Sequence, residues 1–107
     1  MPGSNDNKWT ITIEYDPEIG LVLPDGLIEE YVNRIVRRIQ NNEPMYITVG
    51  GELIIDYLRL AVKQGKIDCN DIIFKYKDEF IACNSDGRLS RWPNGFCGYL
   101  TDVLRQL

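Results

Sequence analysis

The apolar positions of this chain follow two periods, which predict strands and helices in a definite order. Residues 9–15 alternate between apolar and polar side chains, as a half-buried strand does. Residues 45–49 form a short continuous apolar run, which predicts a buried strand. The other predicted strands are 71–76, 79–83 and a short one at 88–90.

Apolar residues at helical spacing predict three helices, over about 26–41, 52–64 and 97–106. Asp25 is the expected N-cap of the first helix, and Gly65 is the expected C-cap of the second. The order of elements favours the α/β class, with a small mixed sheet, a β-α-β crossover, a following antiparallel hairpin and a C-terminal helix. We expect a right-handed first crossover between parallel strands.

The composition fits one domain and excludes several kinds of catalytic and metal-binding site. The chain has 107 residues, 44% of them hydrophobic, so we expect a single α/β domain over 9–107 behind a disordered segment 1–8. It contains no histidine, which excludes a Ser-His-Asp triad, a Cys-His pair and a His-ligated metal. No cofactor is expected.

Charge and cysteine content bear on partners and location. The net charge of -4 argues against general binding to nucleic acid. The three cysteines, at 69, 83 and 97, include no CxxC pair, so they are interpreted as small hydrophobic residues rather than zinc ligands. An odd number of cysteines, with no recognisable targeting or membrane-spanning segment, predicts a cytoplasmic protein.

The first candidate site is the acidic turn Asp16-Pro17-Glu18, which follows the first predicted strand. Ligands of open α/β sheets bind at the carboxyl ends of the strands, where paired carboxylates could hold Mg²⁺ or orient a water molecule. The alternative, which the residues favour, is a solvated turn in which Asp16 caps the chain.

The second candidate site is Gly50-Gly51-Glu52, between a predicted strand and a predicted helix. Backbone N–H groups at such a position can bind an anion. The chain has no GxxxxGK[ST] phosphate loop, however, so a tight strand-to-helix turn is favoured.

The third candidate site is the segment 88–96, where Arg88 and Arg91 stand beside Trp92 and Phe96. These residues could stack on bases or anchor a protein partner. The alternative is a loop whose rings cover the core, which is favoured for Phe96 and left open for Trp92. The basic group Arg34, Arg37 and Arg38 is typical of a solvated helix end.

The segments resemble, in order, the C-terminal half of the ATPase head of the overcoming-lysogenization-defect-like and SMC-like AAA/ABC ATPases of bacterial defence and repair systems. Where that family has its Walker B strand and a Gly-Leu-His-Pro-type stretch, this chain has TITIEYDPEIGLVLPDG. Where the family has a long helix, this chain has IEEYVNRIVRRI. MYITVGGELIIDYLRL stands in place of the strand with the Thr-His-Ser-Glu switch. QGKIDCNDIIFKYKDEFIACNSDGRL and RWPNGFCGYLTDVLRQL resemble the paired strands and the Trp-Pro-x-Gly-Phe tail.

The chain departs from the family at the positions that perform catalysis. The resemblance places Tyr15 at the metal-binding Asp, Asp16 at the catalytic Glu and Gly50 at the switch His. The histidine of the Gly-Leu-His-Pro stretch is absent from residues 20–24, and the phosphate-loop half of the head is missing. Phosphoryl transfer requires these groups, so the resemblance implies that the chain is not an enzyme.

Three functions follow from these observations. The leading hypothesis is a non-catalytic module, a degenerate half of an ATPase head. It docks on a related ATPase or nuclease of a defence or mobile-element system, or on a second copy of itself. The docking residues are Arg88, Arg91, Trp92 and Phe96. The second is a split ATPase subunit whose Asp16, Glu18, Gly50, Gly51 and Glu52 complete a composite nucleotide site. The third is a nucleic-acid-binding accessory protein.

Overall fold

The computed structural model of the chain describes residues 10–93 and Phe96. Its regular elements are, in chain order, β1 (Ile11–Tyr15), α1 (Asp25–Gln40), β2 (Met45–Val49), α2 (Glu52–Lys63), β3 (Ile72–Tyr76) and β4 (Glu79–Ala82). The predicted helix over 97–106 and the expected disorder of residues 1–8 lie outside the described residues.

The strands form one mixed sheet in the order β2-β1-β3-β4. β1 pairs in parallel with both β2 and β3, while β3 and β4 form an antiparallel hairpin. The predicted α/β class is therefore confirmed, with its mixed sheet, its crossover between parallel strands and its hairpin. Because β1, β2 and β3 end on the same side, we call that side the carboxyl end of the sheet; both helices also begin there.

One face of the sheet carries the core. Ile11, Ile13 and Tyr15 of β1 are buried, and the intervening Thr12 and Glu14 lie on the opposite, open face. Both helices pack over the core face with one apolar stripe each; the buried members are Ile28, Val32, Ile35, Val36 and Ile39 of α1 and Ile54, Ile55, Leu58, Ala61 and Val62 of α2. Burying one such aliphatic side chain contributes about 1.5–3 kcal/mol.

The two crossovers run in opposite directions over the same face. The chain moves outward from β1 to β2 through α1, and then returns past β1 to β3 through α2. Since α1 and α2 pack against each other on the core face, the two crossovers have opposite hands. Only one of the two crossovers therefore has the right-handed connection that is usual between parallel strands.

Three local predictions are corrected. β2 has the predicted bounds but is the outermost strand, so only its last residue, Val49, is buried and Tyr46 is exposed. Asp25 is the first residue of α1 rather than its N-cap, because Pro24, held at φ -57°, takes the cap position. Residues 88–90 form only a single bridge, between Leu89 and Cys83, instead of a strand.

Both helices end in the hydrogen-bond pattern of a Schellman motif. After α2, the N–H groups of Gly65 and Lys66 donate to the carbonyls of Val62 and Ala61 at 3.0 and 2.9 Å. Gly65, which was expected to be the C-cap, has φ +79° and is instead the left-handed residue that follows the C-cap Gln64. Asn42, at φ 58°, takes the same position after α1. The chain turns sharply at both points and enters the next strand.

The segment between β1 and α1 crosses the end of β2 at very short range. The N–H of Leu21 donates to the carbonyl of Thr48 at 2.9 Å, and the N–H of Gly50 donates to the carbonyl of Leu21 at 2.8 Å. A Cβ on Gly20 would collide with the backbone of Val49 and Gly50. Only a glycine fits here, because the obstacle is backbone and cannot rotate away.

We predict that Gly20→Ala lowers the free energy of unfolding by about 1–3 kcal/mol, the usual cost of overpacking a rigid site. Gly26→Ala is the matched control, since a Cβ on Gly26 meets nothing within 4 Å. It should change stability by less than about 1 kcal/mol. Urea unfolding of both variants measures the difference, and equal stability of the two would contradict the crossing.

Candidate functional site at the carboxyl end of the sheet

A cleft of about 380 Å³ opens at the carboxyl end, between β1 and β3. From these neighbouring strands the chain continues in opposite directions, to β2 on one side and to β4 on the other. Ligands of open α/β sheets bind outside the carboxyl ends of the parallel strands, which is where this cleft lies. The residues that line the cleft are Glu14, Tyr15, Asp16, Pro17, Glu18, Tyr76 and Lys77.

The sequence identified the β1 side of this cleft and missed the β3 side. Asp16 and Glu18 belong to the first predicted site, whereas Tyr76 and Lys77 received no functional interpretation. Nothing in the local sequence indicates that β3 pairs beside β1, because three other elements, α1, β2 and α2, lie between them in the chain. Only the fold brings the two turns together.

Asp16 has a structural role in the turn. Its carboxylate accepts hydrogen bonds from the N–H groups of Glu18, at 2.9 Å, and Ile19, at 3.4 Å. Its own N–H donates to the carbonyl of Val49 at 2.9 Å, and its carbonyl accepts from Gly20 at 2.8 Å. The carboxylate therefore caps the turn, and its hydrogen-bonding capacity is partly used within the chain.

Glu14 belongs to a polar network on the open face. Its carboxylate accepts from the hydroxyl of Tyr46 at 3.1 Å and from that of Thr48 at 3.2 Å. The ammonium of Lys75 donates to the Tyr46 oxygen at 3.3 Å. This hydrogen bond raises the pKa of Lys75, and the negative charges of Glu14 and Asp78 raise it further. Lys75 therefore remains a cation beside the exposed ring of Tyr46.

Gly50 lies beside the acidic turn, so the structure brings the first two candidate sites together. A Cβ on Gly50 would stand 2.8 Å from the carbonyl oxygen of Gly20 and 3.2 Å from that of Asp16. The N–H of Gly50 already donates to Leu21. Gly51 is the N-cap of α2, and no side-chain hydrogen bond caps the start of this helix. Glu52 is the first residue of the helix. The segment forms a tight strand-to-helix turn.

Exposed apolar side chains collect at the same end. Of the eight large hydrophobic residues that are exposed within the described part of the chain, five stand in the loop after β1 or in the first turns of the helices. They are Ile19, Leu21, Val22, Leu27 and Leu53. Ile19 is 79% exposed and Val22 65%. Scattered apolar residues are normal on a surface, but a concentration at one end is typical of an interaction site.

Within the described part of the segment 88–96, Trp92 and Phe96 pack on the core, whereas Arg88 and Arg91 are exposed. Phe96 is fully buried, with its ring centroid 5.5 Å from that of Tyr15 and 5.7 Å from that of Tyr76. Trp92 is half-buried, 5.7 Å from Phe96, and the guanidinium of Arg59 lies 5.0 Å from its ring. Phe96 thus packs against Tyr15 and Tyr76, the two aromatic residues that line the cleft.

The basic residues are spread over the molecule. Arg34 pairs with Glu30 at 3.2 Å, and Arg38 reaches Glu43 at 3.9 Å, both near the β2 side of the fold. Arg91 lies on the β4 side, where it pairs with Glu79 at 3.2 Å and donates to the carbonyl of Phe80. The structure does not bring Arg34, Arg37 and Arg38 together with Arg88 and Arg91, since β2 and β4 are the two outermost strands.

Arg59 has a structural role that no sequence pattern indicated. Its Nε donates to the carbonyl of Gly87 at 2.8 Å, and its Nη1 pairs with Asp56 at 3.2 Å. Burial raises the pKa of Asp56, and the charge and hydrogen bond of Arg59 partly oppose this rise. Arg59 thus joins α2, the 84–87 turn and the Trp92 ring at one point.

We predict that Arg59→Lys lowers the free energy of unfolding by about 1–2 kcal/mol, because a lysine cannot stack flat on Trp92 and donate to Gly87 at once. In a Trp9→Phe background, the emission of Trp92 should move to longer wavelength. Arg37→Lys, at an exposed position in the last turn of α1, is the control and should change stability by less than about 0.5 kcal/mol. An Arg59→Lys protein with wild-type stability and emission would contradict this role.

The two cysteines within the described residues differ in environment. Cys83 is buried in the core and Cys69 is half-buried against it. Burial raises the pKa of the Cys83 thiol, and Arg59 lowers it in part. Cys83 therefore has a smaller thiolate fraction at neutral pH than an ordinary cysteine and packs as a small apolar side chain.

Within residues 10–93 and Phe96, no group of three or more acidic, thiol or imidazole side chains is arranged to hold a metal ion. No helix in that part of the chain is long and apolar enough to cross a bilayer. Comparison with protein-family models, with curated proteins and with solved structures finds no match.

Proposed function

We propose that the protein is a non-catalytic module that binds a protein partner with the carboxyl end of its sheet. The observation that carries this proposal is the set of exposed apolar side chains at that end, above all Ile19 and Val22. Covering such side chains with a partner removes apolar surface from water, at about 25 cal/mol per Å². An apolar centre bordered by polar residues is the usual anatomy of an interface.

The geometry of this surface suits recognition because its backbone is held in place. Leu21 pairs with β2 through hydrogen bonds of 2.9 and 2.8 Å, and Gly20 lies directly against Val49 and Gly50. Ile19 and Val22 therefore extend from an anchored segment. A preformed surface loses less conformational entropy on binding than a mobile loop does, which favours affinity.

The groups that a nucleotide site would need have other roles. Asp16 stands where the resembling ATPases have the catalytic Glu, and it caps the turn through Glu18 and Ile19. Gly50 donates its N–H to the backbone. A docking function needs none of these groups for chemistry. The resemblance to ATPase heads favours a related ATPase or a nuclease as the partner, inside the cytoplasm.

The test is site-specific photo-cross-linking in the cell that makes the protein. A photoreactive phenylalanine analogue replaces Val22, and in a control protein it replaces Leu60, which is exposed near the far end of α2. We expect one defined protein cross-linked at Val22 and absent at Leu60. Ile19→Asp should remove that product without changing thermal stability.

Two results would contradict the proposal. One is the absence of any protein adduct at Val22. The other is the same set of adducts at Val22 and Leu60, which would indicate random collision rather than a docking surface.

A second candidate function is a composite nucleotide site shared with another ATPase chain. One observation favours it: Asp16, Glu18 and the Gly50-Gly51-Glu52 turn all lie at the carboxyl end, with Gly50 beside Asp16. In this case the protein should change the ATP turnover of the cross-linked partner, and Asp16→Asn should abolish the change. Unaltered turnover would exclude this function and leave the docking proposal standing.

A further inference from the structure

We propose that the cleft between β1 and β3 holds a basic side chain, an arginine or a lysine, of the protein partner. This inference rests on the proposed function and names the chemistry that the partner brings to the carboxyl end. The described residues that line the cleft include three acidic residues, Glu14, Asp16 and Glu18, and one basic residue, Lys77. The cleft is therefore negative and complementary to a cation.

The carboxylates differ in how far their charge is compensated. Asp16 accepts hydrogen bonds from backbone N–H groups, and Glu14 accepts them from hydroxyl groups. These donors are neutral, so they leave the charges in place, although Lys75 lies near Glu14 through the Tyr46 hydroxyl. Glu18 is exposed, and its carboxylate has no hydrogen-bond or ion-pair partner among the residues the structure describes. Glu18 is the carboxylate that a partner's cation can reach most directly.

The wall of the cleft also suits a cation. The half-buried Tyr76 lines it beside the buried Tyr15, and their ring centroids lie 6.0 Å apart. The ammonium of Lys77 already lies 5.2 Å from the Tyr76 centroid, within the range of a cation–π interaction. The chain's own lysine thus occupies a cation position at the mouth of the cleft, and a partner's arginine or lysine competes with it.

The position of the cleft connects it to the apolar surface. Glu18, in the cleft, is followed directly by the exposed Ile19. A volume of about 380 Å³ is in the range of small binding pockets. A partner that covers Ile19 and Val22 would therefore place its own side chains over the cleft. Arginine is enriched at interfaces, where it combines an apolar stem with a charge.

The experiment titrates the full chain with an acetylated, amidated tetra-arginine peptide at about 50 mM salt, a concentration at which exposed charges are screened only weakly. Binding is followed by backbone amide NMR shifts. We expect the largest shifts at Glu18 and Lys77. Glu18→Gln should weaken binding about threefold to fivefold, the effect of one exposed ion pair.

Removing the competing lysine supplies a second, opposite effect. Lys77→Asn should tighten binding about twofold to threefold, because it removes a like charge and vacates the Tyr76 ring. Asparagine suits this turn, since Lys77 has φ 56°. The controls are Glu43→Gln and Lys66→Asn, which make the same charge changes at the amino end of the parallel strands and should leave affinity within about 1.5-fold.

Three results would overturn the inference. One is the absence of shifts around the cleft. Another is an equal loss of affinity in Glu43→Gln and Glu18→Gln, which would indicate general attraction to an acidic protein. The third is equally tight binding of spermine with the same variant pattern, which would assign the cleft to a free polyamine. Photo-cross-linking at Val22 does not depend on these results, so the docking proposal and the cleft proposal fail separately.

Discussion

The contact between the backbone of Gly20 and the Val49–Gly50 peptide determines the arrangement of the carboxyl end. No side chain fits between these two stretches of backbone, so the loop after β1 can lie against the end of β2 only with glycine at this point. The hydrogen bonds of Leu21 to β2 then follow, and they carry the chain along the outer side of that strand to the start of α1. Both the acidic turn and the glycine turn take their shape from this crossing.

The crossing also decides which groups face a partner. Backbone N–H groups and the Asp16 carboxylate hold the loop in place. Side chains with no part in that network, such as Ile19, Val22 and Glu18, project from it. We therefore interpret this end of the fold as a recognition surface, with an apolar area next to an acidic cleft.

Much of the fold could be predicted because its signals are local. The alternation in 9–15 and the helical stripes gave the elements to within two residues where the structure describes them. The burial of β2 was predicted wrongly, because the same apolar residues suit a central strand and an outermost strand. Only the order of the strands in the sheet distinguishes these two positions. The pairing of β3 beside β1 depends on contacts across some sixty residues of sequence, which no local pattern records.

The candidate site could be predicted only in part, for the same reason. Asp16 and Glu18 were identified because they follow a strand, whereas Tyr76 and Lys77 enter the site through strand order alone. Phe96 is in the core, in agreement with the alternative that the residues favoured. Ile19 and Val22, two apolar residues in a loop rich in turn residues, were the signal in the sequence for the proposed docking surface.

The most direct test of this account is native-state hydrogen exchange at the amides of Leu21 and Gly50. Both donate to backbone carbonyls across the crossing, at 2.9 and 2.8 Å. If the loop is anchored before any partner binds, these two amides should exchange at least about a hundredfold more slowly than the same amides in an unfolded chain. This protection corresponds to a free energy of local opening of about 3 kcal/mol or more. Exchange at the unfolded rate would show a loop detached from β2 and would contradict a preformed docking surface.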